Sequence, residues 1–314
     1  MEEWLRSGDT TFATSQITGD GAVRAAERSF SALHENRPAI LTPSATYAMR
    51  CALQAVGVGA GDEVIVPALD WPATRAAVLS LGALCGTARV PADSLSLDAR
   101  TLERAISPRT KAIVVAHLHG VVADMPAIRS AARDIPVIED CAQALGSAAD
   151  GRLAGTLSDI SVFSFGPGKT IDVGEGGMIC TKDRDLYEKA LRRCAHPAGQ
   201  LIAGNAAPDF DGLSIRPHPL AAVLLAVELR KWDRGKALRA HEETAASVAA
   251  FDGVRLIGRA GRRENASKCV PAVATPAGRA ALEARFLVRE SGAYDIRTMR
   301  PCGRGILLVR ERTL

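Results

Sequence analysis

Phe163-Ser-Phe-Gly-Pro-Gly-Lys169-Thr-Ile-Asp-Val-Gly174-Glu-Gly-Gly177 sets a single lysine between an apolar run, Ile160 to Phe165, and a glycine-rich turn. Glycines let a backbone approach a ligand closely and put no bulky side chain in the way. A lysine is nucleophilic only as the neutral amine, and a site partly withdrawn from water lowers its pKa toward that form. Taken alone, the stretch reads as a solvated lysine in a surface turn, since most such turns are only turns. The surrounding chain has to decide between the two.

Upstream of the lysine a pattern repeats. Glu63–Pro67 reads as a short strand, Pro72–Leu81 as a helix, Ala83–Val90 as a strand, Asp98–Ile106 as a helix and Ala112–His117 as a strand. Met125–Ala132 continues as a helix, followed by strands at Pro136–Asp140, Ile160–Phe165 and Gly177–Thr181. Short Val/Ile runs alternating with helices predict an α/β fold, a mainly parallel sheet covered on both faces. Ligands collect at the carboxyl ends of such strands, and here those ends carry Trp71, His117, His119, Glu139, Asp140 and the Ser164 to Lys169 loop. Before this pattern lie a polar arm over residues 1–20, a helix from Val23 to His34, and an apolar helix from Tyr47 to Val56 for which Ser44 or Thr46 is a plausible cap. A helix start of that kind leaves backbone N–H groups free for an anion, although a capped core helix needs no ligand.

After Gly212 the character changes. Pro217–Trp232 reads as a long apolar helix that continues, more polar, through Lys236–Phe251. Strand-like pieces follow at Val254–Ile257, Lys268–Ala274 and Ile306–Val309 around a helix from Gly278 to Ser291. The expected division is a large domain over residues 1–234 and a small C-terminal α+β domain over residues 235–314. His196–Asp211 reads as the loosest piece.

Composition bounds the function. The 314 residues, 47% hydrophobic and 24% charged, describe an ordinary soluble globular protein. The net charge of +4 comes from scattered Lys and Arg with no basic run interleaved with aromatics, so nucleic-acid binding is not expected. Seven cysteines without CxxC spacing read as buried thiols in a reducing compartment, and no metal site is expected. The N-terminus lacks the order of a signal peptide, and no apolar run reaches about 18 residues. These features place the protein in the cytoplasm, away from membranes.

An acid at a strand end and a lysine on a nearby turn suggest a definite chemistry. Pyridoxal phosphate needs an amine for its aldehyde, a carboxylate for its ring nitrogen, an anion site and an aromatic face. Lys169, Asp140, the Ser44 to Thr46 helix start and Trp71 are candidates for the four. Singly, Asp140 could cap a helix and Trp71 could be a core aromatic.

The chain resembles the DegT/StrS-type sugar aminotransferases of the fold type I pyridoxal-phosphate enzymes. The resemblance rests on Ser44-Ala-Thr46, Gly61-Asp-Glu-Val-Ile-Val-Pro67, Trp71-Pro-Ala-Thr74, His117-Leu-His-Gly120, Ile138-Glu-Asp-Cys-Ala-Gln143, Phe163-Ser-Phe165, Lys169 and Gly174-Glu-Gly-Gly177. It runs from about residue 18 to about 234 and is weak beyond. It implies that Lys169 is the Schiff-base and proton-transferring lysine, that Asp140 pairs with the pyridine nitrogen, that Gln143 lies by the ring hydroxyl and that Trp71 stacks on the ring. It further implies that the backbone of Ala45 and Thr46, with the Ser164 hydroxyl, holds the phosphate. The cofactor would cycle through pyridoxamine phosphate with glutamate or glutamine as donor.

In the family a Gly-x-Asn-x-Arg stretch sends its Asn to the neighbouring subunit's phosphate. Gly212-Leu-Ser214-Ile-Arg216 stands there in this chain. A homodimer is therefore implied, with Ser214 acting from the partner and Arg216 and His119 toward substrate. Ala45 replaces the family's usual Gly, Ser214 its Asn, and His119 and Val121 an aromatic and a polar residue. The C-terminal domain is shorter than the family's. With few aromatics there, and only Tyr294, Arg297, Arg300 and Arg304 as anchors, a small keto acceptor such as a sugar or cyclitol is expected in preference to a nucleotide-linked sugar. Other pyridoxal reactions on this scaffold, dehydration or epimerisation, and a non-catalytic regulator that keeps the fold are the alternatives. The lysine counts against a keto-sugar dehydratase, and intact Lys169, Asp140 and Gln143 count against a regulator.

Overall fold

The computed structural model describes residues 21–314 apart from 92–93, 206–207, 210–211, 214, 253, 258–262, 265–270, 274–275, 291–293, 296–299, 302–306 and 312–314. The polar arm over residues 1–20 lies outside the described residues. Seven strands form the central sheet: β1 (Ala39–Thr42), β2 (Glu63–Pro67), β3 (Leu84–Ala88), β4 (Thr110–Ala116), β5 (Val137–Asp140), β6 (Ile160–Ser164) and β7 (Gly177–Cys180). Their order across the sheet is β1-β7-β6-β5-β4-β2-β3. Only β7 runs against its two neighbours, and every other pair is parallel.

Alternation along the strands explains the layers. Side chains of successive strand residues point to opposite faces, and here both faces are apolar. Val64, Val66, Val114, Ile138, Val162 and Ile179 enter one core with helices α2 (Ala45–Ala55), α3 (Pro72–Leu79) and α6 (Arg184–Cys194). Ile65, Ile113, Val115, Val137, Phe163 and Met178 enter the other with α1 (Gly21–Leu33), α4 (Ala99–Ala105), α5 (Met125–Ala132) and α8 (Pro219–Lys231). Between α6 and α8 sits a short helix, α7 (Pro197–Ile202).

An aromatic cluster locks β6 to α1. Phe30 meets Phe163 edge-on at 4.8 Å between ring centroids and Phe165 at 6.1 Å, while His34 stacks on Phe30 at 4.3 Å. Such pairs contribute about 0.5–1.5 kcal/mol each beyond the area they bury. With Phe163 and Phe165 held on that side, Ser164 between them faces the other way, toward the carboxyl end of the sheet.

The structure departs from the sequence reading in four places. The long helix after Pro217 is two: α8 ends where Trp232 turns extended (ψ 127°), and Asp233 caps α9 (Arg234–Ala249) by accepting the Lys236 N–H at 3.0 Å. The helix expected over residues 278–291 stops at Arg285, and Phe286–Glu290 is instead a strand antiparallel to Leu307–Glu311. The piece His196–Asp211, read as loose, begins with α7, started by Pro197 and capped by His196. The eleven-residue α6 carries no counterpart in the sequence reading, although Asp183 caps it.

Two sheet contacts tie the C-terminal region to the large layer. Leu69–Asp70 pairs with Tyr294–Asp295, which pairs in turn with Arg300–Pro301. Arg263–Glu264 pairs with Ala148–Ala149. Among the described residues no helix is long and apolar enough to cross a membrane, and the described cysteines form no disulfide.

Candidate active site

The carboxyl ends of β4, β5 and β6 and the amino ends of α2 and α3 surround a cavity of about 410 Å³. Open parallel sheets bind ligands at this end. Ala45, Thr46, Trp71, His119, Asp140, Gln143, Ser164 and Lys169 all line it, which brings eight residues spread over some 125 positions of sequence to one place.

Lys169 follows β6 on a loop closed by its own backbone. Phe165 N–H donates to Gly176 O at 2.9 Å and Val173 N–H to Phe165 O at 3.0 Å. Inside the loop Asp172 accepts from Gly168 N–H at 2.7 Å and Gly174 N–H at 3.0 Å, and these donors hold its carboxyl below the usual range. Gly168 needs a φ of +76° there, a value that costs other residues about 1 kcal/mol or more. The loop presents the Lys169 amine to the cavity. Burial pushes its pKa below the ordinary lysine value, against the opposing pull of Asp140. This raises the share of neutral amine, the form that can act as nucleophile or base.

Asp140 ends β5. Its Oδ1 accepts from Ala142 N–H at 3.0 Å and its Oδ2 from the Thr74 hydroxyl at 3.3 Å. Burial raises its carboxyl pKa, and the Ala142 N–H and Lys169 oppose that rise. Gln143 accepts the His119 N–H on Oε1 at 2.9 Å, which leaves its NH₂ available to an acceptor in the cavity. His119 is buried and holds a φ of +54° in the turn after β4. Trp71 is 46% exposed, so it is a wall of the cavity and not a core aromatic.

The start of α2 is the anion-binding candidate. Ser44 caps it, accepting Tyr47 N–H on Oγ at 3.2 Å, and its carbonyl takes Ala48 N–H at 3.0 Å. The N–H groups of Ala45 and Thr46, first in the helix, have no helical acceptor and carry the positive end of the helix dipole. Gly177 packs against this turn so closely that a Cβ there would lie 2.5 Å from Ser44 C and O and 2.6 Å from Ala45 N. Gly177 also pairs with Ser164 in the sheet, so the helix start and the Ser164 hydroxyl are set relative to one another by a single backbone contact.

One side-chain brace stands directly behind the site. Glu139 Oε1 accepts from His117 Nε2 and Gly155 N–H, both at 2.9 Å, and Oε2 from Leu157 N–H at 2.9 Å and Ser158 Oγ at 2.8 Å. Burial pushes its pKa up, but these donors outweigh it and the net direction is down. His117 Nδ1 takes the Ala123 N–H at 3.2 Å, which fixes Nε2 as the hydrogen-bearing nitrogen. His117, Glu139 and Cys141 lie together, but the carboxylate's four bonds are all to protein donors.

Arg216, anticipated at the site, does not line this cavity within the protomer, and Ser214 lies outside the described residues, as do Arg297 and Arg304. Conversely, Asp70, Thr74 and Asp172 belong to the site or its loop and the sequence reading gave them no role. Asp172, two residues before Gly174, has the spacing of an Asx turn, a signal that was available. A larger open cleft of about 740 Å³ lies at the opposite ends of the strands; Arg129–Asp159 and Lys189–Asp185 pairs line it, and none of the residues above do.

Residues 5–270 match the model of the DegT/DnrJ/EryC1/StrS aminotransferase family. The chain is 43% identical over 192 residues to an L-glutamine:2-deoxy-scyllo-inosose aminotransferase of Micromonospora echinospora, covering 60% of this chain and 46% of the relative. It is 40% identical over 188 residues to a UDP-N-acetyl-3-dehydro-alpha-D-glucosamine 3-aminotransferase of Acidithiobacillus ferrooxidans, covering 59% of this chain and 50% of that one. The chain thus spans about half the length of the curated relatives it matches. Among solved structures, 3-amino-5-hydroxybenzoic acid synthase superposes with a TM-score of 0.75 at 30% identity, over 87% of this chain and 75% of that one. The loop lysine, the acid at the end of β5 and the open helix start stand where these comparisons run, and the chain belongs to the DegT/DnrJ/EryC1/StrS aminotransferase family.

Proposed function

We propose that the protein is a pyridoxal-phosphate-dependent aminotransferase that moves an amino group from glutamine or glutamate to a keto group on a small cyclitol, sugar or related precursor. The observation that carries this is Lys169: a lysine with a lowered pKa, facing Asp140 across a cavity whose far wall is an unpartnered helix start. The residues present fit the cofactor's four needs.

Bound there, pyridoxal phosphate supplies an aldehyde carbon to carry the amino group and a ring that takes up an electron pair. The Ala45 and Thr46 N–H groups and the Ser164 hydroxyl would hold the phosphate. Asp140 would favour the protonated ring nitrogen, Gln143 would offer its NH₂ to the ring hydroxyl, and Trp71 would supply the aromatic face. Lys169 Nζ takes the proton from the donor's α-carbon and returns one when the acceptor is aminated.

The working unit in this reading is a homodimer, in which Ser214 of the partner subunit completes the phosphate site. Support comes from Leu213 and Ile215, whose apolar side chains are 54% and 43% exposed on either side of that position. A fully active monomer in sedimentation would contradict it. The large domain through residue 234 holds the site and residues 235–314 form a smaller cover, within a reducing cytoplasm in keeping with the free thiols. Aromatic residues are only 4% of the chain, which leaves few side chains to stack on a nucleotide base and favours a small acceptor.

The test supplies loaded protein with L-glutamine and either a free keto-cyclitol or a nucleotide-linked keto-sugar at equal concentration, with mass spectrometry of the products. An amine formed from the free compound supports the reading. Amination of the nucleotide form alone overturns the small acceptor, and no amine from any donor and acceptor pair overturns transamination.

A further inference from the structure

We propose that Asp70 and Asp140 form a proton-sharing carboxyl pair, in which Asp70 carries one proton at neutral pH and acts as a positioning residue that sets the basicity of Asp140. The role at the ring nitrogen rests on the cofactor reading above; the pair itself does not.

Three observations converge on it. Asp70 is 1% exposed, lines the same cavity as Asp140, and sits one residue before α3's cap Trp71. Its Oδ1 accepts the Trp71 N–H at 2.7 Å, but its Oδ2 is buried without a hydrogen-bond partner. Thr74, one turn into α3, gives its hydroxyl to Asp140 Oδ2 at 3.3 Å and so joins the two acids' neighbourhoods. An ionised carboxylate with a bare buried oxygen beside a second carboxylate is strongly disfavoured, and two such groups share one proton between them.

The surroundings say which acid keeps it. Asp140 has the Ala142 N–H, the Thr74 hydroxyl, Lys169 across the cavity and His117 at the end of β4, all favouring its charge. Asp70 has only the Trp71 N–H and the Thr74 hydroxyl in favour of its charge; it faces Asp140 and the half-buried thiol of Cys85, and the strand Tyr294–Asp295 pairs with its backbone. Arg75 acts on Cys85, and among the described residues no cation acts on Asp70. Burial and the Asp140 charge push the Asp70 carboxyl well above the usual range, in agreement with the geometry. A protonated Asp70 sets no second charge beside Asp140 and so keeps its basicity below what an ionised neighbour would give it; the pair carries a single negative charge where two ionised acids would carry two. Loss of that proton at alkaline pH would add a second buried negative charge beside Asp140.

The sign for stability follows. Between the unfolded value near 4 and the raised folded value, the native chain binds a proton that the unfolded chain releases, so stability falls as pH rises. The experiment uses the cofactor-free full chain and follows denaturant unfolding from pH 5 to 9 for the parent, Asp70→Asn, Asp140→Asn and the double variant. The folding equilibrium of Asp70→Asn should gain on the parent by up to tenfold per pH unit until Asp70 ionises. With Asn at 140 the neighbouring charge is gone, and the gain should level off at lower pH. A pH-independent offset between parent and Asp70→Asn, or a gain unaltered by Asp140→Asn, overturns the pair.

Should Asp70→Asn fail to fold, carbon-13 NMR of aspartate-labelled parent at pH 7 decides: one protonated aspartate carboxyl is expected, and none refutes the proposal. Failure of the cofactor reading shows separately, as a chain that takes up no pyridoxal phosphate while this titration stands. That result supports the pair and removes its role at the ring.

Discussion

Gly177→Ala tests the phosphate seat through geometry alone. The added Cβ would lie 2.5 Å from Ser44 C and O and 2.6 Å from Ala45 N, all backbone atoms that no side-chain rotation can move aside. Comfortable carbon contacts need about 3.5–4.0 Å, so the start of β7 and the start of α2 must part by about 1 Å. That shift carries the Ala45 and Thr46 N–H groups away from Ser164, the strand partner of residue 177. A hydrogen bond to a charged group contributes about 1.5–3 kcal/mol, so losing one weakens cofactor binding about 10- to 100-fold. Overpacking costs the fold about 1–3 kcal/mol besides. Gly151→Ala is the control: its φ of +74° makes alanine costly by about 1–2 kcal/mol, yet nothing lies within 4 Å and the position is away from the cavity. Equilibrium dialysis with pyridoxal phosphate, beside urea unfolding, reads both quantities. Both variants should lose stability and only Gly177→Ala should lose affinity. Parent-like cofactor affinity in Gly177→Ala would refute the assignment of the phosphate to the start of α2.

Asp140→Asn should fold and keep the cavity, because the amide oxygen can still accept from Ala142, but it should lose at least about tenfold in turnover since it offers no charge to the ring nitrogen; parent-like turnover would reduce Asp140 to a turn cap. Glu27, buried and accepting the Leu41 N–H at 2.9 Å, is pushed up to about 7 by burial. The native chain therefore holds its proton between about pH 4.5 and 7, and stability present below that window is lost as pH rises through it. Glu27→Gln should gain on the parent by up to about 3 kcal/mol across the window, and an equal gain at pH 4 and 8 would contradict this. His34 works in the opposite sense: burial pushes it down to about 4, so stability is lost as pH falls from 6.5 toward 4. His34→Phe keeps the stack on Phe30 and should remove about 3 kcal/mol of acid lability; unchanged acid unfolding would show that His34 is not its source.

The central sheet was legible because its physics is local. A strand covered on both faces must be apolar on both, so Val64-Ile65-Val66 and Ile113-Val114-Val115 announce themselves as continuous runs bounded by turns. Lys169 and Asp140 stood out because their spacing from those strands matches a known family, and the structure brings both to one cavity. The C-terminal misreading has an equally local cause: Ala280-Ala-Leu-Glu-Ala-Arg285 and Phe286-Leu-Val-Arg-Glu290 form one uninterrupted apolar-polar stretch with no breaker between them. Only the change from helix formers to aromatic and branched residues marks the switch. Asp233 could have been read as a new cap within the 217–251 stretch. The proposed pairing of Asp70 with Asp140 had no sequence signal at all, since it depends on two strand ends 70 positions apart lining one cavity.

Reductive trapping tests the central claim most directly. The protein is loaded with pyridoxal phosphate, reduced with borohydride, digested and mapped by mass spectrometry. A cofactor-sized mass on the peptide carrying Lys169, absent from Lys169→Ala even though that variant still takes up the cofactor through its phosphate, is the result expected. A label on any other lysine, or none on a protein that has bound the cofactor, would contradict the account.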